Sequence, residues 1–137
     1  MKKRIWLLTA ILFVGMPVAF ADRAATQFYN VVTKTATSTS SQSATTLWTP
    51  ATGFRFALQG CFLAAEGPVR IRLQVSGTDV IPPVVLETYG TATIGTGDSP
   101  IYMSATDAVL TYTTVITGLS ASYPNTSIVC WGYEFKG

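Results

Sequence analysis

The chain has 137 residues, with nine Lys and Arg, seven Asp and Glu and no histidine, for a formal net charge of +2. The missing imidazole excludes Ser-His-Asp and Cys-His catalysis, His metal ligation and imidazole pH switching together. Only 12% of residues are charged while 48% are hydrophobic, and the abundance of Thr, Ser, Gly and Val suits an all-β domain of short strands and turns.

Residues 1–21 read as a secretory signal peptide. Lys2, Lys3 and Arg4 make a basic start, Ile5 to Val14 is apolar apart from Thr9, and Gly15 and Pro17 break the run before Ala19-Phe20-Ala21. That last triplet is the small-x-small pattern a signal peptidase accepts. A membrane span needs about 20 apolar residues, so this run is too short for one. A buried N-terminal helix is the alternative, and it does not account for the order of the three regions. Cleavage leaves 116 residues starting at Asp22, enough for one domain with one core. It also leaves six basic against seven acidic residues, so no basic footprint remains for nucleic acid or an anionic membrane. No later segment is long and apolar enough to cross a bilayer. The expected location is extracellular or at the cell surface.

Residues 22–52 read as an N-terminal arm and Ser/Thr-rich linker, and 53–137 as the folded domain. Phe28, Tyr29, Val31 and Val32 form a short β-prone apolar patch in the arm. Thr33 to Thr46 holds ten Ser or Thr in fourteen positions, with Lys34 its single charge. Such a tract buries little apolar surface, yet its β-branched threonines favour an extended path. It is a linker or an edge strand.

From residue 53 the period changes to two. Phe54, Phe56, Leu58 and Phe62 are predicted to share an inner face, with Arg55, Gln59 and Cys61 opposite. Val69, Ile71, Leu73 and Val75 alternate with Arg70, Arg72 and Gln74, as a half-buried strand requires. After Pro82-Pro83, a strand is predicted over Val84 to Tyr89. Turn residues Gly95, Gly97, Asp98, Ser99 and Pro100 precede strands over Ile101 to Ser104 and Ala108 to Ile116. In the last strand, Ser127 to Lys136, the residues Val129, Trp131, Tyr133 and Phe135 are predicted to face inward. Seven or eight strands with no helical segment predict an antiparallel two-sheet β-sandwich, jelly-roll-like, with an immunoglobulin-like sandwich as the competitor.

Cys61 and Cys130 fall in the first and last long strands of that domain, which are commonly neighbours in a jelly roll. Both lie on the predicted outward phase. One intramolecular disulfide is the plain reading in an oxidising compartment; links between subunits and free thiols are the alternatives. The seven acidic residues of the exported chain are scattered one per turn or strand, so most read as solvated charges. Asp98 could join Asp79 or Asp107 around calcium, but no dense acidic loop is present. The glycine-rich run there lacks a phosphate-loop lysine. No cofactor is expected, and the protein reads as non-catalytic.

Leu47-Trp48-Thr49-Pro50-Ala51-Thr52-Gly53-Phe54-Arg55-Phe56, together with Ile128-Val129-Cys130-Trp131-Gly132-Tyr133-Glu134-Phe135, resembles small jelly-roll domains of phage virion and tail-tip proteins. The layout is also similar to bacterial appendage subunits with a connector arm. The resemblance covers about residues 47–137 and implies a jelly roll in a structural role; the leader departs from the virion pattern.

Two functions follow. In the first, the protein is a secreted structural subunit that forms a homo-oligomer or filament, its arm residues Phe28, Tyr29, Val31 and Val32 adding as a strand to a neighbour's sheet. The same strand could instead fold onto its own sandwich. In the second, the protein is a glycan- or receptor-binding module, with Trp48 and Tyr123 as the freest aromatic contacts.

Overall fold

The computed structural model describes residues 30–95, 98–118 and 125–137. Residues 1–21, read from the sequence as a leader, and Phe28, Tyr29 and Tyr123 lie outside the described residues. The rest is an all-β sandwich of two five-stranded antiparallel sheets. Its strands are β1 (Asn30–Ser38), β2 (Gln42–Trp48), β3 (Phe54–Ala65), β4 (Val69–Val75), β5 (Thr78–Asp79), β6 (Val84–Leu86), β7 (Gly90–Ile94), β8 (Tyr102–Met103), β9 (Leu110–Ile116) and β10 (Thr126–Lys136). The first sheet runs β1-β10-β3-β7, with β8 also on β3; the second runs β2-β9-β4-β5, with β6 also on β4. The chain crosses between sheets from β1 to β2, β2 to β3, β3 to β4, β6 to β7, β8 to β9 and β9 to β10, which is the wrapped order of a jelly roll. The first and last strands are neighbours.

Residues 30–52, read from the sequence as arm and linker, belong to this sandwich. β1 pairs with β10 over its whole length, from Asn30 opposite Glu134 to Ser38 opposite Thr126. β2 pairs with β9. The Ser/Thr tract thus supplies an edge strand to each sheet. Its serines make the corner between them: the Ser40 amide donates to Ser38 Oγ at 3.2 Å, and the Gln42 amide donates to Thr114 Oγ1 at 3.0 Å. Hydroxyls therefore satisfy backbone groups where the chain changes sheet.

Strand β4 follows its alternation as predicted: Val69, Ile71, Leu73 and Val75 are buried. It leads into a two-residue hairpin, Ser76-Gly77, where both residues have positive φ (50° and 80°). That geometry matches the natural twist of paired strands, and glycine adopts it without steric cost.

Strands β3 and β10 depart from the predicted faces. A register shift falls where Trp131 and Gly132 of β10 oppose Gly60 and Leu58 of β3. Gln59 is the extra residue, and it inverts the inward phase of β3. Phe56 and Leu58 point inward before it; Cys61, Leu63 and Ala65 do so after it. An inserted residue does this because side chains alternate with a period of two. Phe62, expected in the core, is thereby turned outward and is 39% exposed.

In β10 the buried residues are Thr126, Ile128, Cys130, Gly132 and Glu134, while Val129, Trp131, Tyr133 and Phe135 take the outer face. Steric room decides this. Trp48 and Phe56 already fill that end of the interior, stacked with ring centroids 5.0 Å apart. Gly132 also passes so close to the Ala57 carbonyl that any β-carbon there would collide with it.

The cysteines form one intramolecular disulfide between directly opposed residues of β3 and β10, with Cα atoms 4.1 Å apart. Both are fully buried rather than on an outward face. The bond sits among Leu58, Leu63, Ile71, Leu73, Leu110 and Ile128 in one continuous core.

Candidate functional site

The outer face of the β1-β10-β3 sheet concentrates the aromatic and aliphatic side chains that the interior does not use. Register places them in rows across the strands. Val31, Tyr133, Ala57 and Met103 form one row; Thr35, Val129, Phe62 and Thr93 form another; Thr33, Trp131 and Gly60 lie between them. Phe135 continues the file beyond Tyr133, with ring centroids 5.9 Å apart. Trp131 lies across Gly60, where any β-carbon would meet the indole. Glycine at that position lets a large ring settle flat on the sheet. The result is an apolar file flanked by threonine hydroxyls, with Arg55 opposite Phe135 as the charge at one end.

Val31 is 76% exposed and Met103 56% exposed on this face. Contiguous apolar surface of this kind on a single sheet marks an interaction surface more often than scattered exposure does. Of the arm residues singled out from the sequence, Val31 points outward, while Val32 points inward and packs against the core. The two belong to opposite faces of β1.

Trp48 does not serve as a surface contact. It is fully buried, and its indole Nε1 donates to Glu134 Oε1 at 2.8 Å. The other carboxylate oxygen accepts from the Ala51 amide at 3.2 Å. A buried carboxylate needs such donors, and here they tie β2 in one sheet to β10 in the other. Glu134 is thus a structural group inside the sandwich, not a solvated charge. The glycan contact expected at Trp48 is ruled out by this burial.

The other acidic residues are dispersed. Asp79 bonds Arg72, with Oδ2 2.8 Å from Nη2. The Arg72 hydrogen bond holds the Asp79 carboxyl below its ordinary pKa, and the guanidinium charge adds to that. Asp107 has a positive φ of 58° and accepts from the Gly53 amide at 2.6 Å. Among the described residues, no three His, Cys, Asp or Glu side chains gather as a metal site.

At one end of the same outer face, the turn from β3 to β4 meets the turn before β7. Glu66 Oε2 accepts from Asn125 Nδ2 at 2.8 Å and from the Asn125 amide at 3.3 Å. Tyr89 stands beside them, 81% exposed, at a φ of 56°. No sequence pattern joins the members of this corner, because they come from three separate segments.

No protein-family model and no curated sequence matches the chain. Among solved structures, it is similar to a chain of the cyanophage Pam1 capsid asymmetric unit. The identity is 10%, with 77% of this chain and 85% of that chain covered and a TM-score of 0.48. A likeness of that degree assigns no function.

Proposed function

We propose that the protein is an exported structural subunit that associates with copies of itself through the outer face of the β1-β10-β3 sheet and the segment preceding β1. The observation that carries this reading is the apolar file of Phe62, Val129, Trp131, Tyr133 and Phe135 with Val31 and Met103 at its side. Two sheets stack face to face when such rows interdigitate. The occupant is a second copy, because chain length and position favour it. β1 begins beside Glu134 and Tyr133 on the edge of this face, and Phe28 and Tyr29 immediately precede it. Eight residues, 22–29, reach about 26 Å when extended, far enough to lie on a neighbour. Lys34 points inward on this edge strand, a device that discourages uncontrolled edge-to-edge pairing. Face packing with a tethering segment suits that arrangement better than exchange of β1 itself. The buried disulfide is compatible with an oxidising compartment outside the cell.

Sedimentation velocity on the chain starting at Asp22 tests the proposal. Concentration-dependent association is expected, lost in Phe62→Asp and weakened by removing residues 22–29. A monomer at every concentration would overturn it, as would unchanged association in Phe62→Asp.

A further inference from the structure

The geometry points to a saccharide-binding pocket at the Glu66–Tyr89 corner, built to take one neutral pyranose ring of a glycan. The cavity holds about 300 Å³, at the small end of ligand sites. Its floor is Ala64, which register places between Ser127 and Thr91 on the outer face of the sheet. The small methyl leaves the space open, and a hydroxyl stands at either side. Asn125, Glu66 and Tyr89 line it side by side, one position past the ends of their strands.

Three features make this more than a surface hollow. First, Tyr89 occupies the left-handed region, which a bulky residue rarely takes. Its backbone is held there by its own amide donating to the Glu66 carbonyl at 3.3 Å and by the Gly90 amide donating to the Glu87 carbonyl at 2.9 Å. An exposed aromatic ring kept in a costly conformation is a recurrent mark of a binding site. Second, Glu66 is fixed before any ligand arrives, since Asn125 supplies both a side-chain and a backbone donor to Oε2. Its Oε1 would accept from a ligand hydroxyl at a set position. Third, the lining joins one aromatic face to a carboxylate and two hydroxyls.

That combination selects chemistry. A purely apolar ligand would cover Glu66 Oε1 and the two hydroxyls without offering them a hydrogen bond, which is unfavourable. An anion would meet the Glu66 charge. A neutral pyranose presents C–H groups on one face for Tyr89 and hydroxyls at its rim for Glu66, Thr91 and Ser127. The site does not depend on self-association and is tested apart from it.

The experiment is titration of ¹⁵N-labelled protein with the methyl glycosides of glucose, galactose, mannose and N-acetylglucosamine, read from amide shifts. At least one glycoside should move the Glu66, Gly90, Thr91 and Asn125 amides, saturating with a Kd of about 1–10 mM. Tyr89→Asn keeps a residue tolerant of the left-handed backbone and should weaken binding by about tenfold or more. Tyr89→Phe should bind nearly as the parent does, because stacking needs the ring and not the hydroxyl. No shift with any of the four sugars at about 50 mM would overturn the assignment. So would shifts spread along the sheet away from this corner, or a titration unchanged in Tyr89→Asn.

Discussion

Replacing both Cys61 and Cys130 with alanine is predicted to bring this domain close to its stability limit. The disulfide closes a loop with a sequence separation of 69. Chain entropy for that loop is about 15 cal/mol/K, or about 4 kcal/mol at 25 °C. Both sulfurs are fully buried in the core, so their loss also opens a small cavity worth about 1–2 kcal/mol more. A single domain of this size is stabilised by about 5–15 kcal/mol in all. A loss of about 5 kcal/mol lowers the melting temperature by about 20 °C, at about 4 °C per kcal/mol for a chain of this length. Thermal unfolding of the oxidised parent and the double variant, followed by far-ultraviolet circular dichroism, measures the difference. A drop below about 1 kcal/mol would refute the reasoning, since neither the loop term nor the cavity term could then hold. Burial adds a kinetic signature. Dithiothreitol with iodoacetamide should label neither cysteine in the native protein within the time that labels both in denaturant. Rapid native labelling would contradict the placement of the bond inside the core.

Three further outcomes follow from the same packing. Trp48→Phe removes the donor to Glu134 Oε1 and should cost about 2–3 kcal/mol in chemical denaturation; adding Glu134→Gln should recover part of it, and purely additive losses would mean the pair is not coupled. Ile71→Asp buries a carboxylate without a partner at a position that is 1% exposed, so no folded protein should be recovered; a soluble variant with the parent's melting curve contradicts this. Asp79 has its folded pKa depressed chiefly by the Arg72 hydrogen bond. Its contribution to stability is therefore present above the unfolded carboxylate pKa and lost as pH falls through the lower folded value. Asp79→Asn should flatten that part of the acid limb, and an NMR titration of Asp79 at or above the ordinary value would refute it.

Much of the fold was legible in the sequence, and the misreadings have physical causes. β4 announced itself because apolar and polar residues alternate without interruption. β3 carries the same signal, but the bulge at Gln59 inverts its phase, and one inserted residue leaves no mark in composition. In β10 the two faces are Val129-Trp131-Tyr133-Phe135 and Ile128-Cys130-Gly132-Glu134, and hydropathy alone prefers the aromatic set. The interior selects the other set, because Cys61 fixes Cys130 opposite it, Gly132 passes against Ala57, and Glu134 finds the Trp48 indole. β1 and β2 read as a linker or an edge strand because a Ser/Thr tract lacks large apolar residues; the sheets take them as edge strands, which need few. β7 was missed since Gly-Thr-Ala-Thr-Ile offers little bulk.

The candidate sites were the least legible part. The apolar file exists only once the phase of β10 is known, and that phase is settled by contacts with β3. The Glu66–Tyr89 corner depends on a backbone angle at Tyr89 that residue type argues against. Trp48 looked free beside Pro50, yet the partner that buries it lies 86 residues away.

The central claim is that the outer sheet face is covered by another copy, and tryptophan fluorescence reads it directly. The chain starting at Asp22 carries only Trp48 and Trp131; Trp48 is fully buried, so iodide quenching reports Trp131 at the centre of the face. The account predicts that the quenchable component fades as protein concentration rises and stays constant in Phe62→Asp. Quenching of the parent that is independent of concentration would contradict it.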